Sequence, residues 1–135
     1  MFFISPKIEL KRCDDDRIGV FCKEPIKEGD IIESSPIILL DSNKWEEVDP
    51  VVQVCALPWP ELREDWESFC NEHGGILALH ATRPAIGCGY SMLYKRDYEH
   101  NVQLKIEKKL FACQLVSKCA IKEGEELTIF KEQNE

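Results

Sequence analysis

What most restricts this chain is the brevity of its apolar runs. Each ends at a glycine, a proline or an acidic turn before it could grow into a long helix, which favours short strands joined by turns. Residues 2–12 alternate weakly through Ile4, Ile8 and Leu10, as a first strand does. Arg17 to Cys22 reads as a second strand with Gly19 near its start, where backbone can approach a neighbour closely. Ile31 to Leu40 is β-branched and is interrupted at Ser34, Ser35 and Pro36. Gln103 to Glu107 and Leu110 to Val116 pattern as a hairpin joined at Lys108-Lys109, and Thr128-Ile129-Phe130 is a last short strand.

Between Asp41 and Glu72 the pattern changes. Trp45, Val48, Val51, Val52 and Cys55 take helical spacings behind a start signal at Asp41 or Ser42, and Leu57-Pro58-Trp59-Pro60 breaks that helix. Leu62, Trp66, Phe69 and Cys70 predict a second short helix ending near Gly74-Gly75. Ile76 to Leu79 and Ile86 to Tyr94 return to strand-like composition. The expected class is a β-rich α+β fold, the 135 residues forming one domain with a helical insert at about 41–75. Two turns look alike, Ile26-Lys27-Glu28-Gly29-Asp30 and Ile121-Lys122-Glu123-Gly124-Glu125. With so little else in common, they read as ordinary turns between strands rather than as halves of a repeat.

Lys and Arg number 17 against 25 Asp and Glu, a formal net charge of -8. That balance argues against nucleic-acid and anionic-membrane binding, which draw on cations, and suits a basic partner. No apolar run approaches the roughly 18 to 20 residues of a bilayer span. The opening Met1-Phe2-Phe3-Ile4-Ser5-Pro6-Lys7 lacks the basic lead and apolar length of a signal peptide, so cytoplasmic, nuclear or host-cell residence is the expectation. None of the seven cysteines forms a CxxC pair, and the three histidines lie on separate segments, so no metal site is expected. Reduced, structural thiols follow from the expected compartment. Gly87-Cys88-Gly89 lacks the further glycine and helix opening of a dinucleotide loop. Trp45, Trp59 and Trp66 are expected to pack the insert.

In order and spacing, three stretches resemble the SET domain, the β-rich fold of many protein-lysine methyltransferases. Arg17-Ile18-Gly19-Val20-Phe21 is similar to the family's Gly-x-Gly-Val-Phe strand, and Ile26 through Glu33 to the turn after it. Gly89 through Tyr94, then Lys95 through Asn101, resembles the segment that runs into Asn-His-Ser and a later Asn. Ile121 through Phe130 resembles the closing segment, and the likeness runs from about residue 8 to residue 130. The length resembles that of small viral and bacterial members. The resemblance implies small sheets of short strands, with a C-terminal knot-like crossing beneath residues 89–101. It also implies that S-adenosylmethionine binds on one face, with Arg17, Ile18, Gly19, Lys95 and Arg96 at cofactor-binding positions. A lysine of a basic protein or peptide would enter from the other face. Phe130 and Tyr94 take the catalytic positions: Phe130 stands for the family's closing tyrosine, and Tyr94, Tyr90 or Tyr98 is left to supply the hydroxyl. A homodimer is compatible with the sequence and not required by it.

The chain departs from the family pattern where chemistry is done. Arg17 replaces the first glycine, Lys95 and Arg96 the Asn and His, Asp97 the Ser, and Phe130 the tyrosine, whereas Asn101 and Glu125-Glu126 are kept. A cation about 4 Å from the donor's sulfonium costs about 4 kcal/mol at an effective dielectric near 20. Two functions therefore stand side by side. One is an S-adenosylmethionine-dependent protein-lysine N-methyltransferase with altered contacts. The other is a catalytically inactive SET-like module that binds or scaffolds a basic protein.

Overall fold

A computed structural model describes residues 2–60 and 82–131. The expected helix at Leu62 to Cys70, its Gly74-Gly75 end, the strand at Ile76 to Leu79, and Trp66, His73 and His80 lie outside the described residues. In chain order the elements are β1 (Phe3–Ile4), β2 (Ile8–Arg12), β3 (Ile18–Cys22), β4 (Ile31–Leu39), a 3-10 turn (Ser42–Glu47), α1 (Pro50–Gln53), β5 (Leu57–Pro60), β6 (Thr82–Gly87), β7 (Lys95–Asp97), β8 (Val102–Glu107), a second 3-10 turn (Lys108–Leu110), β9 (Ala112–Ser117) and β10 (Thr128–Phe130). Among the described residues no helix is long and apolar enough to cross a membrane. By contacts the chain divides into two units, one of Met1–Ile37 with Gly87–Lys131, the other centred on Ile38–Ile86.

In the first unit, the alternation over residues 2–12 resolves into two strands. Pro6 between them has no N–H to give a ladder. β2 pairs antiparallel with β3 from Ile8↔Cys22 to Arg12↔Ile18. β4 runs unbroken through Ser34, Ser35 and Pro36, where an interruption was expected. It pairs with β1 at Phe3↔Ser34 and Ile4↔Glu33, and with β9 as far as Pro36↔Ala112. The missing donor of Pro36 does not end the strand, because its carbonyl still accepts the Cys88 N–H at 2.8 Å. β8 and β9 form the expected hairpin, Val102↔Ser117 through Glu107↔Ala112. The core holds Ile8, Val20, Cys22, Ile26, Ile32, Tyr94, Val102, Leu115, Ile121, Leu127 and Ile129. Each large side chain buried there contributes about 1.5–3 kcal/mol.

In the second unit, the single helix expected over Trp45 to Cys55 is instead two short turns. Asp41 caps the first by accepting the Asn43 N–H, and Asp49 caps α1 by accepting that of Val51, each at 2.9 Å. The break falls at Val48 and Asp49, both extended, because a residue before proline is pushed out of the helical region and Pro50 follows Asp49. Leu57 to Pro60, read as a helix breaker, is itself strand β5 and pairs with β6 from Leu57↔Ala85 to Pro60↔Thr82.

The two look-alike turns are not independent. Ile26 and Ile121 exchange backbone hydrogen bonds at 3.0 and 2.9 Å. Inside the turns, the Lys27 N–H donates to Asp30 Oδ2 and the Lys122 N–H to Glu125 Oε1, both at 3.1 Å. Gly29 and Gly124 sit at φ 87° and 90°, where a side chain is disfavoured. The Gly29 N–H donates to Ser117 O and the Gly124 N–H to Cys22 O. Likewise the Cys22 N–H donates to Glu125 O and the Ser117 N–H to Asp30 O. Each of these backbone bonds in one half has its counterpart in the other. β3 therefore docks on the segment leaving the second turn, and β9 pairs with the strand leaving the first. The reading of two unrelated turns is corrected: they form one reciprocal clasp, and it carries residues 125–130 against β3.

Candidate functional site

The clasp delivers the C-terminal segment to the place where the sequence-predicted residues gather. On one side, the Leu127 N–H donates to Val20 O at 2.8 Å and Phe21 bridges Glu126. On the other, β10 lies parallel to β7 with Thr128↔Lys95, Ile129↔Arg96 and Phe130↔Asp97 in register. Asn101 fixes this second junction. Its Nδ2 donates to Glu126 O at 3.0 Å, its Oδ1 accepts the Thr128 N–H at 2.8 Å, and its own N–H donates to Thr128 Oγ1 at 3.1 Å. Such a side chain substitutes for a missing rung of backbone pairing.

Arg17 folds back along β3. Its Nη1 and Nη2 donate to Glu126 Oε2 and Oε1 at 2.6 and 2.9 Å, and its Nε donates to Asp15 Oδ2 at 2.9 Å. A Cβ on Gly19 would stand 2.6 Å from Glu126 Oε2 and 3.1 Å from Arg17 Nη1, so a larger residue there would have to push the ends of the paired side chains aside. Hydrogen bonding from Glu126, and less from Asp15, pushes the Arg17 guanidinium above its ordinary range. The Arg17 guanidinium holds the Asp15 carboxyl below its usual range, with a smaller contribution from Lys95. Lys95 is thus electrostatically within reach of the same cluster. Arg96 lies over the Phe130 ring, 5.6 Å from its centroid. Ile18 is 42% exposed.

Tyr94 stands elsewhere. It is buried, and its hydroxyl donates to Glu33 Oε1 at 3.0 Å. Burial, then the neighbouring Glu33 charge, raises its pKa well above the phenolic norm. Glu33 is fully buried; its Oε2 accepts from Ser35 Oγ at 2.6 Å and from the Tyr90 N–H at 2.8 Å. Sequence reasoning missed Glu33, although a lone acid inside a β-branched strand was the available signal. Beside this group, burial pushes the Cys113 thiol up to about 11.

The structure therefore brings together Arg17, Ile18, Gly19, Lys95, Arg96 and Phe130 around residues 126–130, while Tyr94 packs in the core with Leu127 and Ile129 and turns its hydroxyl to Glu33. Glu126 and Asn101, noted in the sequence only as kept, do the joining. Among the described residues no cluster of His, Cys, Asp and Glu could hold a metal ion.

The SET domain family model matches residues 17–130. Compared by sequence with curated proteins, the chain has no match. Among solved structures it is similar to a candidate histone methyltransferase of Plasmodium falciparum, with a TM-score of 0.65 and 19% identity over 96% of each chain. It is also similar to the methyltransferase domain of human PR domain-containing protein 2, with a TM-score of 0.58 and 14% identity over 98% of this chain and 82% of that one. A third likeness is to the Neurospora SET domain protein DIM-5, a histone lysine methyltransferase, with a TM-score of 0.59 and 16% identity. That match covers 91% of this chain and 51% of the Neurospora chain. With the match extending over most of its length and the strand-rich fold agreeing, the chain belongs to the SET domain family.

Proposed function

We propose that the chain is a SET-fold module that binds a lysine-containing segment of a basic protein and transfers no methyl group. The observation that carries this reading is the two-pronged Arg17–Glu126 ion pair laid across Gly19. In the family pattern, backbone at this glycine is where S-adenosylmethionine approaches. Here the guanidinium and carboxylate fill that space, and the residues do not fit the donor. The carboxylates of Asp15 and Glu126 already offset the charges of Arg17 and Lys95, so the obstacle to the donor is the room that the pair takes over Gly19 rather than net repulsion. Phe130 offers a ring without a hydroxyl, and the Tyr94 hydroxyl is already engaged as a hydrogen-bond donor to Glu33. The net charge of -8 supports a basic partner, and the likeness to histone methyltransferases supports a protein as that partner.

Isothermal calorimetry tests both halves. A lysine-rich peptide should release heat on binding, and millimolar S-adenosylmethionine should not. Micromolar donor binding, together with methyl incorporation into the peptide, would replace this reading with that of a methyltransferase using rearranged contacts.

A further inference from the structure

One step beyond the last paired residues of β7 and β10, Lys131 falls beside Tyr98, and its Nζ stands 5.3 Å from the centre of the Tyr98 ring. Tyr98 is 56% exposed, so it is not held there by core packing. Asp97 and Glu99 flank it, and Asp97 Oδ1 accepts the Glu99 N–H at 3.1 Å, which orders the backbone between them. An exposed phenol ring with an acidic residue on each side of it in the chain offers an alkylammonium a contact. The ring quadrupole faces the cation and the carboxylates supply the charge. The chain's own lysine already uses it.

We infer that Tyr98, with Asp97 and Glu99, is the contact point for a lysine of the basic partner, and that Lys131 is an intramolecular competitor which that lysine must displace. The inference rests on the proposed basic partner and not on the absence of methyl transfer. It places recognition on the exposed tip beyond β7, away from the buried Tyr94 hydroxyl. Lys131 reaches its ring without translational cost, so it lowers apparent affinity in proportion to the fraction of time it is seated. A surface cation–π contact of ordinary strength would mask the ring by a factor of about three to six.

The test is calorimetry at physiological salt with a lysine-rich peptide, in unmodified, Nε-trimethylated and lysine-to-glutamine forms. It is run against the native chain and against Lys131→Gln, Tyr98→Ala and Tyr98→Phe. The site is exposed, so all four proteins should melt alike. Lys131→Gln should tighten binding about three- to sixfold; Tyr98→Ala, which takes the ring from the peptide lysine and from Lys131 alike, should bind about two- to fivefold more weakly than Lys131→Gln, and Tyr98→Phe, which keeps the ring, should stay within about twofold of the native chain. The glutamine peptide should lose this sensitivity, and the Nε-trimethylated form, which keeps the cation, should retain it. Peptide binding that neither Tyr98→Ala nor Lys131→Gln alters would overturn the site and leave the proposed module standing. No peptide binding by any of the four proteins would overturn both.

Discussion

Replacing Glu33 with alanine tests how the loop leading into β7 is held. Glu33 is fully buried and accepts three hydrogen bonds, from Ser35 Oγ at 2.6 Å, the Tyr90 N–H at 2.8 Å and the Tyr94 hydroxyl at 3.0 Å. Ser35 and Tyr94 are themselves buried and Tyr90 is half-buried, so bulk water does not simply take the place of the carboxylate. Each donor left without an acceptor costs about 1–3 kcal/mol. Removing a buried charge returns part of its desolvation penalty, which leaves a net loss of about 3–5 kcal/mol. Tyr94→Phe removes one donor and leaves Glu33 two others, a loss of about 1–2 kcal/mol. With a urea slope near 2 kcal/mol per molar, Glu33→Ala should lower the unfolding midpoint by about 2 M and Tyr94→Phe by less than about 1 M. The double variant supplies the sharper check. Once Glu33 is gone the Tyr94 hydroxyl is only an orphan, so deleting it should cost nothing further. A Glu33→Ala midpoint within about 0.3 M of the native one, at unchanged slope, would refute the reasoning.

Three further outcomes follow from particular geometries. Gly29→Ala and Gly124→Ala should each destabilise by about 1–2 kcal/mol in urea unfolding, the backbone penalty alone. An added Cβ would meet nothing within 4 Å at either position, and a large difference between the two would argue against the reciprocal clasp. Cys113 has its folded pKa raised from 9.0 to about 11, so the native state holds its proton longer than the unfolded chain. That contribution to stability is complete below pH 9 and declines toward pH 11, by at most about 1.4 kcal/mol per pH unit; Cys113→Ala should flatten the decline in alkaline unfolding curves. Combining Arg17→Gly, Lys95→Asn, Arg96→His and Phe130→Tyr should give the chain calorimetric affinity for S-adenosylmethionine, and a null result in the folded variant would mean the donor face is reshaped beyond these four positions.

The sequence was most legible where structure is local. The β8–β9 hairpin, β3, β10 and the Asp41 cap all lie where alternation and capping chemistry put them. The single short helix over Trp45 to Cys55 failed for a local reason that apolar spacing conceals: the backbone restriction that Pro50 places on Asp49 outweighs the periodicity. β5 was missed because two prolines in four residues read as a breaker, although a short antiparallel pairing leaves carbonyls that proline can still offer. The clasp between the turns at Gly29 and Gly124 lay beyond local reasoning, since its bonds join residues from opposite ends of the chain. The candidate site shows the same division. Arg17 and Phe130 could be flagged from the resemblance, but the partner of Arg17 could not. Glu126 reaches it only because the clasp brings residues 125–127 alongside β3.

That same dependence makes the proposed function separable from stability. Backbone bonds at Cys22, Val20 and Gly124 hold the C-terminal segment to β3 whether or not the Arg17–Glu126 pair is present. The pair is partly open to solvent, 32% and 18% exposed, so screening reduces a two-pronged contact to about 1–2 kcal/mol. Arg17→Gly should therefore leave the fold intact, lower the unfolding midpoint modestly and less so in high salt, and uncover the backbone at Gly19. Were Arg17→Gly to unfold the protein, the ion pair would be a structural strut in its own right. Its position over Gly19 would then say nothing about the donor.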